Sequence, residues 1–231
     1  MIVRLIVALT VALLTLSAAS ANEVNERVRF FDDGPQDASF LKFRNALKAI
    51  IARRDAPALF AVLASDIKID FGGFGGRPEF QERWKPSDKD SKVWAALSLV
   101  VGQGGNFDSK VRFSAPYAFS AFPSDVDPMD KIVVINDGAM MRAKPNVDGK
   151  VVRKLDRDIL TIVNLINRDS IMRGSYVAQH EADDHVWYEV KDPRGLGGFV
   201  EAKDVRSPID YRAYFEKRKG KWLITMFIAG D

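Results

Sequence analysis

The stretch Trp222 to Ile228, WLITMFI, carries no charged side chain and is apolar at successive positions, so both faces of a strand built from it need cover. Such a strand belongs in the middle of a sheet. It follows YRAYFEKRKGK, which reads as a partner strand and a turn at Lys219-Gly220. The chain therefore ends in a hairpin that has to be buried rather than frayed, and the basic cluster Lys217, Arg218, Lys219 and Lys221 reads as its solvated tip.

At the other end, MIVRLIVALTVALLTLSAASA has Arg4 as its one charge, an apolar run from Leu5 to Leu16 and small residues at Ala19-Ser20-Ala21. This reads as a secretory signal peptide over residues 1–21, cleaved after Ala21. The apolar run falls short of the roughly 20 residues of a membrane-spanning helix. No membrane span is expected after cleavage, and the protein is expected in the periplasm or outside the cell. With no cysteine there is no disulfide framework and no lipid-attachment thiol, so packing alone must hold the fold. The formal net charge of +3 drops by one when Arg4 leaves with the leader. Such a near-balance, without a basic stripe, argues against nucleic acid as the main partner.

Between the two ends the texture changes. In SFLKFRNALKAIIARR, residues 39–54, Phe40, Phe43, Leu47 and Ile50 form one apolar stripe of a helix. Asp55 and Pro57 start a second short helix that includes Leu59, Phe60, Val62 and Leu63. In DIKIDFGG, Ile67, Ile69 and Phe71 alternate with Lys68 and Asp70, as in a half-buried strand. The glycines 72, 73, 75 and 76 then fit neither a phosphate loop nor a dinucleotide turn. They read as a sharp reversal with positive φ before a helix opened by Pro78 and Glu79 and stopped by Pro86. Trp94, Leu97 and Val101 share a face of a further helix. Pro116, Pro123 and Pro128 make any strand in VRFSAPYAFSAFPSDVDPMD short and place it at an edge. Proline, serine and aspartate accumulate from Phe122 to Asp130, which marks a domain boundary.

From Lys131 to Arg206 the chain is strand-forming throughout. Its blocks are Met141-Arg142-Ala143-Lys144-Pro145-Asn146, then Val151 to Leu155, Ile159 to Val163, Trp187-Tyr188-Glu189-Val190, and finally Gly195 with Gly198-Phe199-Val200. This order resembles the bacterial SH3-like domain (SH3 type 3, SH3b) over about residues 129–206, roughly a third of the chain after the leader. Three departures stand out. Asp156-Arg157-Asp158 replaces the usual glycine turn, Phe199 stands where tryptophan is commoner, and a long loop is inserted at about 164–184. The resemblance implies a small barrel and a binding module of the kind associated with cell-wall peptides (peptidoglycan). Its groove aromatics would be Tyr176, Tyr188 and Phe199, although packing is the commoner role for each. Val152, Leu155, Ile162, Trp187 and Val200 read as barrel core.

The flanking parts, 22–128 and 207–231, are similar in element order to a nuclear-transport-factor-2-like cone, a curved sheet around helices. In that case the terminal hairpin completes an α+β domain into which the barrel is inserted. The alternative is two consecutive domains, with the hairpin packed on the barrel. The expected fold class is thus an α+β body with a curved antiparallel sheet, plus an all-β SH3-like small barrel.

Candidate chemistry is sparse. His180 and His185 with Glu181, Asp183 and Asp184 could supply metal ligands, but they read better as a solvated loop. A serine or cysteine hydrolase lacks its motif and its thiol. Asp70 is an acid or base candidate only if a pocket exists beside it. Arg77, after the glycines, is the residue of that stretch suited to holding an anionic group. The chain accordingly reads as a non-catalytic envelope binding or scaffolding protein without cofactor or metal, whose SH3-like module takes a cell-wall peptide or envelope protein. The alternative is a pocket enzyme in the α+β body, targeted to the wall by the module.

Overall fold

A computed structural model describes residues 27–73, 75–166, 171–172 and 187–230. The signal-peptide expectation, the two histidines and Tyr176 fall outside these residues. The fold is α+β, with five α-helices and two sheets among the described residues.

Helix α1 (Ala38–Arg53) starts where the Asp37 side chain accepts a hydrogen bond from the Phe40 N–H at 2.8 Å. It stops at Arg54, which takes the left-handed conformation at φ 51°. Phe40, Leu47 and Ile50 face the core, as the stripe requires. So does Arg44, whose guanidinium forks onto the Asp32 carboxylate at 2.5 and 3.0 Å. Asp55 caps α2 (Ala56–Val62) through the Ala58 N–H at 3.0 Å, and Pro57 sits in its first turn.

The next strand begins earlier than its alternation implies. β1 (Leu63–Lys68) follows α2 without a loop, so Leu63 belongs to the strand rather than the helix, and Ile69 and Phe71 lie beyond its end. Periodicity misplaces the boundary because Leu63 continues the apolar spacing of Leu59 while being equally suited to the buried start of a strand. Helices α3 (Arg77–Trp84) and α4 (Val93–Gly102) follow, then the paired strands β2 (Asn106–Ser109) and β3 (Arg112–Ala115), and the short helix α5 (Tyr117–Ser120).

The second sheet comes from the middle of the chain: β4 (Lys131–Val134), β5 (Met140–Arg142), β6 (Val151–Lys154), β7 (Ile159–Ile166), β8 (Ile171–Met172), β9 (Trp187–Lys191), β10 (Gly197–Glu201) and β11 (Val205–Arg206). The chain then returns as β12 (Arg212–Arg218) and β13 (Lys221–Ile228).

The first sheet runs β1-β13-β12-β3-β2. β13 lies between β1, in parallel, and β12, antiparallel, which gives its two apolar faces the neighbours they demand. The turn at Lys219-Gly220, with φ of 50° and 80°, has the handedness of a tight hairpin. β3 is not the edge strand expected of it, because β2 covers its outer side. Pro116 lies just past the end of β3 and so removes no ladder hydrogen bond. The helices bury an aromatic cluster against this sheet: Phe40 meets Phe113 at 4.2 Å, Trp222 at 5.0 Å and Phe215 at 5.8 Å between ring centres.

The second sheet runs β11-β4-β7-β9-β10-β5-β6, with β8 beside β7. Its pairings are antiparallel throughout. The path has two ends, β11 and β6, that are not joined, so the expected barrel is here an open sheet. It has its own core of Val134, Met141, Leu160, Tyr188, Val190, Val200 and Val205 among others. Part of the region expected as an inserted loop is strand: β7 extends to Ile166 and β8 pairs back on it. A third cluster joins residues from several places, with Val28, Tyr117 and Ala118 packed on Val133 and Ile159.

Candidate functional site

The glycine stretch is a reversal between β1 and α3. The Gly76 N–H donates to the Ile67 carbonyl at 2.7 Å, and Gly73 and Gly76 adopt φ of 88° and 89°. A Cβ at Gly75 would lie 2.6 Å from the Ile67 oxygen, so close backbone approach also requires glycine there. Pro78 and Glu79 occupy the first turn of α3. Arg77, the anion-holding candidate, folds its guanidinium back onto the Leu63 carbonyl, with Nε at 3.2 Å and Nη2 at 2.5 Å. It thereby fastens the start of α3 to the start of β1. Asp70, the acid or base candidate, accepts from Arg83 Nη2 at 2.9 Å.

In the second sheet, Tyr188 lies within the core, 7% exposed, on β9 opposite Leu165 and Val200. Phe199 is half-buried on β10, between Glu189 of β9 and Arg142 of β5. Two glycines of the same block have clear physical roles. Gly195, at φ 84°, turns the chain between β9 and β10, where Asp192 accepts from the Arg194 and Leu196 N–H groups. Gly198 crosses β5 so closely that a Cβ would stand 2.5 Å from Met141 Cγ and 2.9 Å from the Arg142 oxygen. Among the described residues no group of three metal-ligating side chains comes together.

The structure adds a cleft in the α+β body that sequence reasoning missed. α3 ends at Lys85, which takes a left-handed conformation at φ 42°. The segment 85–92, KPSDKDSK, then winds through successive turns before α4. Asp88 N–H donates to the Lys85 carbonyl at 2.9 Å, and Ser91 N–H to the Asp88 carbonyl at 3.1 Å. Ser91 Oγ donates to the Trp84 carbonyl at 2.6 Å, Trp94 Nε1 to the Pro86 carbonyl at 3.2 Å, and Arg54 to the Lys89 carbonyl at 2.9 Å. These bonds hold the segment in one shape. Facing it is Tyr211, just ahead of β12, stacked on Phe227 at 5.1 Å and leaning on Trp84 at 4.9 Å.

Together these residues line an open cleft of about 760 Å³, within the approximate 300–1,000 Å³ of small-molecule sites. The rim carries Arg83, Lys85, Lys89 and Lys92 against Asp88 and Asp90. The indole N–H of Trp84 is buried without an acceptor. Burial, and secondarily the charge of Asp210, push the Tyr211 hydroxyl above its ordinary range, with Arg83 opposing. It therefore stays protonated at neutral pH, as a donor. Nothing local in the sequence announces the cleft, because KPSDKDSK has the composition of an ordinary exposed loop and Tyr211 lies far away in the chain.

No family model and no curated protein matches the chain. A solved structure to which it is similar is a Xanthomonas campestris protein described as a calcium/calmodulin dependent protein kinase II association domain. The two are 12% identical over 87% of this chain and 96% of the other, with a TM-score of 0.25. At that score the likeness carries nothing about the function of this chain.

Proposed function

We propose that this chain is a non-catalytic binding or scaffolding protein of the cell envelope, exported by its leader, whose residues 129–206 form an SH3-like module for a cell-wall peptide or envelope protein. The observation that carries the reading is the close crossing of β10 over β5 at Gly198, next to the half-buried Phe199. The blocks that resemble the SH3-like family fall on β5, β6, β9 and β10. β5-β6 and β9-β10 are antiparallel pairs, and β10-β5 joins them. Arg157 supports it too, since it adopts φ 56° where the family uses glycine. The return of β12 and β13 to β1 and β3 favours the body as a cone of the nuclear-transport-factor-2-like kind, completed by both ends of the chain.

Residues 22–231 should co-sediment with purified wall sacculi, and Phe199→Ala should lower the pelleted fraction while thermal melting stays near that of the parent. Pelleting no greater than that of a control protein removes the wall-binding reading. Release of soluble wall fragments in the same tubes would instead favour the alternative, a pocket enzyme in the α+β body.

A further inference from the structure

We infer that the cleft between α3, segment 85–92 and Tyr211 binds an acidic saccharide. This does not rest on the SH3-like reading, since every residue involved belongs to the α+β body. The first ground is charge. Four cationic side chains line the cleft against two carboxylates, and Lys85 and Lys89 are exposed. Clefts lined mainly by one sign concentrate ligands of the other sign. Arg83 is already committed to Asp70 and the Ile69 carbonyl, so the exposed Lys85 and Lys89 are the part of this charge on which a ligand would draw.

The second ground is the indole of Trp84. The side chain is 8% exposed, and its N–H is buried with no acceptor. A buried donor left unmade costs about 1–3 kcal/mol and calls for an explanation in a native fold. Trp84 lines the cleft, and a ligand oxygen that reaches this N–H would complete it. Tyr211 adds an aromatic ring on the facing wall, and Lys92, the residue ahead of α4, gives that helix no side-chain cap, which leaves its positive end at the cleft's edge.

The third ground is the mixture. Asp88, Asp90, Ser87 and Ser91 supply acceptors and hydroxyls, while Trp84 and Tyr211 supply aromatic wall. A bare inorganic anion would leave most of a volume of about 760 Å³ unfilled. An apolar ligand would strip water from the charged rim without replacing its hydrogen bonds. A sugar ring presents hydroxyls that both donate and accept, has C–H faces suited to aromatic side chains, and can carry the acid group that the lysines require.

The test uses residues 22–231 and calorimetric titration with three probes: tetragalacturonate, glucose 6-phosphate and neutral maltotetraose. The partner variant is the double substitution Lys85→Asn and Lys89→Ala. Both side chains are exposed, and asparagine tolerates the left-handed backbone at 85. Saturable binding of either acidic probe is expected, weakened at least tenfold or so in the double variant, a loss of about 1.4 kcal/mol or more. Maltotetraose should bind more weakly than the acidic probe by a similar factor. Preference between the two acidic probes tells a carboxylate-bearing sugar from a phosphate-bearing one. The inference is overturned if neither acidic probe saturates by ~1 mM, if the double variant binds as the parent does, or if maltotetraose binds equally well.

Discussion

Single side chains account for the places where the sequence departs from its expected spelling. A glycine turn is replaced by Asp156-Arg157-Asp158, and the structure shows how. Arg157 adopts φ 56°, while the buried Asp158 carboxylate accepts from the Asp156 N–H at 2.6 Å and from Arg153 at 2.8 Å. The Arg157 guanidinium is engaged by Asp137 and by the rings of Phe30 and Tyr117. Removing one partner of a buried ion pair typically costs about 3–5 kcal/mol, so Asp158→Ala should shift the urea midpoint strongly. Arg157→Gly should cost far less, because the backbone strain it relieves offsets part of the lost contacts. Gly198→Ala should also be costly, by roughly 1–3 kcal/mol, since the Arg142 oxygen that a Cβ meets is backbone and cannot turn aside. Near-parental unfolding of Gly198→Ala would mean that β5 and β10 lie further apart than described.

At the scale of elements, caps were the most readable signal. Asp55 with Pro57 was legible as the start of α2, and the glycines as a reversal before Pro78. Where an element ends without a breaker, its boundary is not legible: α2 passes directly into β1 at Leu63, and hydrophobic spacing cannot separate a buried helical leucine from a buried strand leucine. The proline rule failed for β3 because Pro116 lies one residue past its end. Arg44 and the cleft were illegible for a shared reason, namely partners that only the fold brings close: Asp32 for one and Tyr211 for the other. The cap of α1 permits a direct check. The Ser39 hydroxyl, then the Phe40 N–H, hold the Asp37 carboxyl below its ordinary pKa of 3.8. A lowered folded pKa means stability that is present above the unfolded value and lost as pH falls through the folded one. Asp37→Ala should therefore lower stability by about 0.5–2 kcal/mol at neutral pH, and the gap from the parent should close in acid. A gap independent of pH would show that the cap acts without its charge.

At the scale of the whole molecule, the two sheets do not correspond to two halves of the sequence. The first is built from both ends of the described chain and the second from its middle. The two-faced apolar character of Trp222 to Ile228 made burial of the end legible, but not its partner, because β1 offers no local sign that a strand more than 150 residues away in sequence will lie beside it in parallel. Where the middle joins the rest, Val28 and α5 pack on β4 and β7. Tyr117 is in that seam, 1% exposed, with its hydroxyl directed at the Val134 carbonyl at 3.4 Å. Burial raises its pKa above 10.0, against the opposing charge of Arg157. A tyrosine whose folded pKa is raised binds its proton more tightly in the native state. The corresponding stability is fully present below the unfolded pKa and is lost as pH rises through the folded one. Alkali should thus weaken the molecule at the seam. The urea midpoint of the parent should fall between about pH 9 and pH 12, and Tyr117→Phe should flatten that fall while lowering the midpoint slightly at neutral pH. Tyr211, raised in the same direction by its own burial, contributes a second part of the slope, so the double replacement with phenylalanine should flatten it further. If Tyr117→Phe leaves the alkaline slope unchanged, its hydroxyl is not buried in the seam in solution.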